Sequence, residues 1–348
     1  MMPALSPNGQ LHSMKSPMIF EKMDEIRRVF ADLPAPDDAA LRAAEARNGQ
    51  LTKPPGALGR LEELALWYAA WRGDPAPSLT RPQIVIFAGN HGVTAQGVSA
   101  FPPDVTAQMV ANFEAGGAAI NRLAETFGAE LYVHALSLDQ PVADISMGPA
   151  MSEAELLDAF NTGWQAVDLK SDLLIVGEMG IGNTTPAAAI AQALFGGASE
   201  DWTGRGTGVD DAGLTAKAQV VARAVEINNG STLDGLDVLL CLGGREIAAM
   251  AGAILHARIA KIPMILDGFI CCAAAACLRA MNAGALDHAV AGHLSAEGSH
   301  GKLLEILGKD PILDLDMRLG EGSGAGVALG VLKAAIACHS GIDRKSVV

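Results

Sequence analysis

A single carboxylate stands among glycines near the end of the chain, in Arg318-Leu-Gly-Glu-Gly-Ser-Gly324. Just before an apolar helix, an acid in such a setting as that of Glu321 can be partly desolvated, which raises a carboxyl pKa toward the range of a general base. Ordinary compensation of a helix dipole explains the same placement equally well. A second segment, Gly177-Glu-Met-Gly-Ile-Gly-Asn-Thr-Thr-Pro186, follows an apolar run and opens an Ala-rich stretch. Thr185 is placed to be the N-cap of a helix and Pro186 to be its first residue. Glycines let backbone approach a ligand closely, and free N–H groups at a helix start suit a phosphate. The alternative is a tight structural turn. The segment is neither a P-loop, because no Gly-Lys-Ser/Thr follows, nor a GxGxxG fingerprint, because Asn183 takes the last glycine's place. A third stretch, Gly204-Arg-Gly-Thr-Gly208, precedes a helical region with Lys217. It offers backbone donors and a cation to an anion, although read alone it is more simply a surface loop with a solvated lysine.

Positioning such groups requires a scaffold, and the hydrophobic pattern supplies one. Short apolar runs recur at 83–88, 130–136, 172–176, 237–242, 263–266 and 288–291, each reading as a buried strand. Between them lie stretches with helical spacing at 105–126, 152–167, 186–194, 214–228 and 246–260. Alternating strands and helices predict an α/β fold, a Rossmann-like, mostly parallel sheet with helices on both faces. Ligands of such sheets collect beyond the carboxyl ends of the strands. Here those ends read Asn90-His-Gly92, Gly177-Glu-Met-Gly180, Gly243-Gly244, Asp267-Gly268 and His293-Leu-Ser295. Before residue 80 the pattern is helical, around 19–33, 39–48 and 61–72, and 326–338 is helical again. The expected organisation is a small helical domain from 1–80 with 326–348, beside a catalytic domain over 81–325.

Composition narrows the function classes. A formal net charge of −14 disfavours nucleic acid or an anionic membrane as partner, since phosphate backbones need clustered Lys and Arg. No run reads as long and charge-free enough to cross a bilayer; Ile270 to Leu278, closed by Arg279, reads as a buried helix. Pro3, Pro7, Lys15, Pro17 and Glu21 interrupt the beginning, which does not read as a secretory signal, so the expected location is the cytoplasm. The five cysteines (Cys241, Cys271, Cys272, Cys277, Cys338) read as reduced and buried, and the eight histidines lack zinc-site spacing. No metal and no cofactor are expected.

Taken in order along the chain, these segments resemble the nicotinate-nucleotide:dimethylbenzimidazole phosphoribosyltransferase family of cobalamin biosynthesis. The resemblance runs from about Leu33 to about Ser340. It rests on Lys53-Pro-Pro-Gly-Ala-Leu-Gly-Arg-Leu-Glu62, Asn90-His-Gly-Val93, Gly177 through Pro186, Leu266-Asp-Gly-Phe269, His293-Leu-Ser-Ala-Glu297 and Arg318 through Ala325. It implies a homodimer that moves a phosphoribosyl group from nicotinate mononucleotide to dimethylbenzimidazole. The products are nicotinate and α-ribazole 5′-phosphate, from which the cobalamin lower nucleotide is built. By position, Glu321 corresponds to the proposed catalytic base and Glu178 to a second active-site carboxylate. Gly180, Gly206 and Lys217 match positions that hold the nucleotide phosphate, with Asn183, Thr184, Thr185 and Thr207 in the same two Gly-rich segments. Asp267, Ser295, Arg318, Leu319 and Gly320 fall in segments lining the pocket. Phe101, Met109, Met179 and Leu319 are the expected base-binding side chains. The chain departs from some members in having Asn90 for Asp, and Phe101 and Met109 where polar Ser and Gln align, which bears on the choice of base.

Two other classes compete on the residues alone. A nucleotide-dependent oxidoreductase shares the α/β pattern, but the fingerprint and the ribose-binding acid after the first strand are missing. A non-catalytic nucleotide-binding protein is the third reading, with Glu321 in its Gly-rich setting arguing against it. Another benzimidazole, adenine or a phenol remains open as the acceptor.

Overall fold

The structure, a computed structural model, describes residues 19–206, 208–230 and 234–345. Thr207 and the stretch before Ile19 therefore lie outside the described residues. In chain order the elements are α1 (Met23–Val29), α2 (Asp38–Gln50), α3 (Arg60–Arg72), β1 (Pro82–Ala88), α4 (Asp104–Glu114), α5 (Ala119–Phe127) and β2 (Glu130–Ala135). There follow α6 (Glu153–Ala166), β3 (Leu173–Met179), α7 (Thr184–Phe195), α8 (Asp211–Ile227), α9 (Gly235–Leu242) and α10 (Arg245–Ile259). The chain closes with β4 (Met264–Leu266), α11 (Phe269–Met281), β5 (Ala289–Leu294), α12 (His300–Leu307), β6 (Pro311–Asp314) and α13 (Ser323–Gly341).

The strands form one sheet in the order β2-β1-β3-β4-β5-β6, and every pairing is parallel. The α/β expectation is thus met. Successive side chains of a strand point to opposite faces, and the core divides accordingly. Val85, Phe87, Leu174, Val176, Met264 and Leu266 pack into a layer with α1, α6, α7, α9, α10 and α11. Ile84, Ile86, Leu173, Ile175 and Ile265 face α3, α5 and α13. Burial on both faces explains why the inner strands read as continuous apolar runs; the edge strand β2, expected to be buried, instead alternates between exposed and half-buried residues, since only one neighbour covers it.

The two chain ends touch. Arg47 of α2 donates to the carbonyls of His339 and Ser340 in α13, and Leu51 bridges to Arg344. The first helix lies apart from these, its Met23 and Ile26 packed in the other layer, and Phe20 just before it sits edge-on against Phe160 and Trp164.

Four local expectations are corrected. Residues 237–242 are not a strand but most of α9: Asp234 accepts from the N–H groups of Leu236 and Asp237, and the Asp237 carboxylate accepts from the N–H of Asp234. This reciprocal cap starts a helix buried on most sides, and a short apolar run cannot be told from a strand by periodicity. The stretch 105–126 is two helices, broken where Gly116 takes φ +76°. Strand β6 has no counterpart among the apolar runs, beginning as it does with Pro311, which is admissible only at a strand's start or edge. Finally, α13 is long and apolar enough for a bilayer. Its apolar side is instead spent on the core, with Ala325, Ala328, Leu329, Leu332 and Ala335 buried under the sheet.

Candidate active site

Because all strands run the same way, their carboxyl ends share one edge, and a cavity of about 560 Å³ opens there. That volume suits a small ligand. β3 contributes Glu178 and Met179, the end of β4 Asp267, the end of β5 His293 and Ser295, and the turn before α13 Arg318 to Glu321. Phe101, Val105 and Met109, on and just before α4, supply an apolar wall.

Glu321 is held in an unusual backbone. It takes φ +61° between Gly320 at +79° and Gly322 at +72°. A non-glycine residue in this region costs of order 1–3 kcal/mol and persists only where its surroundings fix it. Asp267 does the fixing: its Oδ2 accepts from Gly322 N–H at 3.1 Å and its Oδ1 from Ala325 N–H at 2.9 Å. The turn can lie this close to β3 because residue 177 has no side chain. A Cβ there would stand 2.5 Å from the backbone nitrogen of Gly322.

The two expected carboxylates line the same cavity. A Cβ at position 320 would lie 2.5 Å from Glu178 Oε1, so the Glu178 carboxylate abuts the turn that presents Glu321. Burial raises the Glu178 pKa to about 8; the bond from Asn183 opposes the rise, and the charges of Glu246, Asp267 and Glu321 add to it. Burial and then Asp267 raise Glu321 to about 7. Near neutrality Glu178 holds its proton and Glu321 is poised to gain or lose one, an arrangement suited to general base chemistry.

The start of α7 differs from the sequence expectation. The N-cap is Asn183, Pro186 is the third helical residue, and Thr185 is fully buried away from the cavity. Proline fits anywhere in the first turn, where N–H groups have no intrahelical partner, so Pro186 did not fix the boundary. The Asn183 side chain makes no cap and donates its Nδ2–H to Glu178 Oε2 instead. Thr184 lines the cavity.

Lys217 is not the solvated residue of the local reading. It is buried on α8, with Nζ donating to Thr184 Oγ1 at 2.6 Å and to the Gly204 carbonyl at 2.9 Å. Burial pulls its pKa down to about 8, with the charge of Glu297 opposing. The two Gly-rich segments are thereby brought together around one ammonium. Gly206 lies beside it, and the Arg318 guanidinium reaches the Gly206 carbonyl at 3.5 Å. Gly180 must also be small: a Cβ there would stand 2.9 Å from the Gly89 carbonyl.

All the expected site residues except Thr185, Lys217 and the undescribed Thr207 line the cavity, and Lys217 adjoins it through Thr184. Asn90 and His91, quoted at the rim, turn away from it. Asn90 donates to the Leu138 carbonyl, and His91 Nε2 lies 2.6 Å from Glu246 Oε1 in a buried pair. Missed were Val105, Ile181, the start of α11 at Gly268 to Cys271, His293 and Glu297. His293 and Glu297 lie within a quoted motif and were legible as polar residues at a strand end. Both ring nitrogens of buried His293 lack a hydrogen-bond partner.

An α/β sheet with a buried lysine, a helix start and two carboxylates of raised pKa around one cavity beside its strand ends is a site of enzyme type. Comparison with known proteins makes this specific. A family model described as Phosphoribosyltransferase matches residues 33–346. Nicotinate-nucleotide–dimethylbenzimidazole phosphoribosyltransferase of Roseobacter denitrificans is 64% identical over 323 residues, 93% of this chain and 96% of the relative. The protein of that name from Ruegeria pomeroyi is 65% identical over 318 residues, 91% and 94% of the two chains. Among solved structures, an enzyme of that name from Thermus thermophilus superposes with a TM-score of 0.82 at 40% identity, covering 88% of this chain and 97% of its own. One described as CobT from the same organism gives 0.82 at 42%, covering 88% and 100%. The chain belongs to the nicotinate-nucleotide–dimethylbenzimidazole phosphoribosyltransferase family.

Proposed function

We propose that this protein transfers the phosphoribosyl group of nicotinate mononucleotide to dimethylbenzimidazole, giving α-ribazole 5′-phosphate and nicotinate. The observation that carries the reading is one cavity combining an apolar wall, two buried carboxylates of raised pKa and an adjoining buried lysine. The names of the relatives supply the two substrates.

The donor phosphate is held by Lys217, by the backbone N–H of Gly206 and by the start of α7 at Gly180, Asn183 and Thr184. Charge-assisted bonds of this kind are the strong ones. Arg318 and Ser295 complete that side, Asp267 fixes the turn beside the ribose, and Phe101, Met109, Met179 and Leu319 receive the aromatic base. The acceptor's ring nitrogen attacks C1′ as the bond from C1′ to the pyridinium nitrogen breaks. The bonding pair stays on that nitrogen and neutralises it, so nicotinate leaves without a general acid. Attack from the opposite face converts a β-nucleotide into an α-product. As the new bond forms, the second azole nitrogen becomes acidic and Glu321 takes its proton, with Glu178 as the neighbouring acid. Holding both substrates in line supplies much of the acceleration.

Purified protein mixed with nicotinate mononucleotide and a panel of bases, without added metal, tests this. Formation of α-ribazole 5′-phosphate, identified by mass, with dimethylbenzimidazole outcompeting other benzimidazoles, adenine and phenols, is the expected result. No nucleotide product with any base sinks the proposal.

The same proposal includes a homodimer, as the family resemblance implies, a cytoplasmic location, as the sequence pattern leads us to expect, and neither nucleic acid nor membrane as partner. It also includes a small helical unit at the joined chain ends, supported by the bonds from Arg47 to α13, with α1 packed in the larger part.

A further inference from the structure

Glu297 occupies the place in which the donor phosphate is expected. Its Oε1 accepts from the Gly206 N–H at 3.2 Å, its charge acts on Lys217, and its side chain is buried at the cavity wall. The fit is close enough that a Cβ on Gly204 would stand 1.8 Å from the same oxygen. Of the two donors on which the preceding reading places the phosphate, the Gly206 N–H therefore already faces an anion belonging to the protein, and Lys217 lies within reach of that anion's charge.

We propose that Glu297 is an internal competitor for the phosphate subsite, a specificity-determining residue whose carboxylate the donor's phosphate must displace. The inference rests on the placement of the phosphate at Gly206 and Lys217. A phosphate monoester carries about −1.5 to −2 charges near neutral pH. In a low-dielectric pocket it cannot share one N–H and one ammonium with a carboxylate at little cost, because like charges at contact distance repel strongly. Without a ligand, however, the carboxylate is useful. It gives the buried Lys217 a nearby counter-charge in addition to its two neutral acceptors, and gives the Gly206 N–H its acceptor. The exchange of one anion for another sets donor affinity below what the lysine and the amides alone would give. Glu297 is not a catalytic residue in this scheme, and it has no part in binding the aromatic acceptor.

Isothermal titration of the full chain with inorganic phosphate, and separately with nicotinate mononucleotide, tests the inference at fixed pH and ionic strength. Glu297→Gln keeps the size of the side chain and an oxygen to accept from Gly206, but removes the charge. It is expected to bind both ligands about tenfold more tightly, equivalent to ~1.4 kcal/mol. Glu297→Asp, which withdraws the carboxylate by one methylene, should move both affinities the same way by less, and it serves if the glutamine variant fails to fold. Dimethylbenzimidazole binding should not change. A side chain that merely pins the Gly206 loop gives the opposite result, since loosening the loop weakens both ligands. Equal or weaker binding by the charge-free variant, while Lys217→Ala weakens both ligands, overturns the inference alone. Unchanged binding in Lys217→Ala overturns the phosphate placement, and this inference with it.

Discussion

Asp267, at the end of β4, accepts a hydrogen bond from the backbone N–H of Gly322, the residue after Glu321 in the chain. With the bond to Ala325, this one carboxylate holds the start of α13 and the left-handed turn before it. The β4 end thus fixes where the candidate base points, although β4 and Glu321 are far apart in sequence.

Removal of that support should be costly in a particular way. Hydrogen bonds to charged groups contribute about 1.5–3 kcal/mol each. Asp267→Ala is expected to lose roughly 2–4 kcal/mol of stability, allowing for relaxation, and to lower kcat more than it weakens donor binding. Urea unfolding together with initial rates checks both. A variant as stable as wild type with full kcat contradicts the role.

With the donor phosphate placed at Lys217 as proposed, donor recognition should be sensitive to pH. Its pKa, pulled down by burial to about 8, leaves it charged below that pH and neutral above. The cation attracts the phosphate, so kcat/KM for nicotinate mononucleotide should fall as pH rises through about 8. Glu321, raised to about 7, must lose its proton to act, so the same quantity should rise as pH passes 7. A narrow bell between these limbs is expected, because kcat/KM reports the free enzyme. In Lys217→Ala the alkaline limb should shrink and donor affinity drop, with little change in acceptor binding. An unaltered profile counts against the phosphate placement.

Phe101 and Met109 line the cavity beside Met179, and Phe101 is half-exposed. An apolar wall discriminates one methylene by only about 1–3 kcal/mol, so acceptor choice among benzimidazoles should be broad. Phe101→Ser and Met109→Gln should reorder the acceptors in a competition assay and leave donor affinity nearly unchanged. The same ranking in both variants and wild type removes these residues from the acceptor pocket.

Much of the site was legible because its residues sit at strand ends, where glycines and acids interrupt apolar runs. Glu178, Asp267 and Ser295 fall on one rim by that pattern, whereas Glu321 stands out separately, as an acid among glycines before an apolar helix. What the pattern could not show is how distant turns meet. The contact of Glu178 with the Gly320 turn depends on Gly177 admitting the turn against β3, a relation between segments more than 140 positions apart. Lys217 read locally as solvated because its burial comes from Thr184 and the Gly204 carbonyl, on other elements. Thr185 was mistaken for a cap because a proline marks the first turn of a helix without specifying which residue begins it. The strand assigned to 237–242 failed for a related reason: the cap that makes it a helix begins at Asp234, outside the apolar run.

We propose Glu321 as the base that takes the acceptor's proton. An azole N–H becomes acidic only as its other nitrogen bonds to C1′, so the carboxylate is needed most in the transition state and contributes little to ground-state binding. Glu321→Gln is nearly isosteric but cannot accept the proton. It should keep the fold and both affinities while losing about 10²–10⁴-fold in kcat, and adding Glu178→Gln should lower kcat further than either single change. The deciding measurement pairs calorimetric binding of nicotinate mononucleotide and dimethylbenzimidazole to Glu321→Gln with its initial rate of α-ribazole 5′-phosphate formation. Intact binding with a rate reduced by at least about a hundredfold is the expected result; intact binding with wild-type turnover would contradict the account.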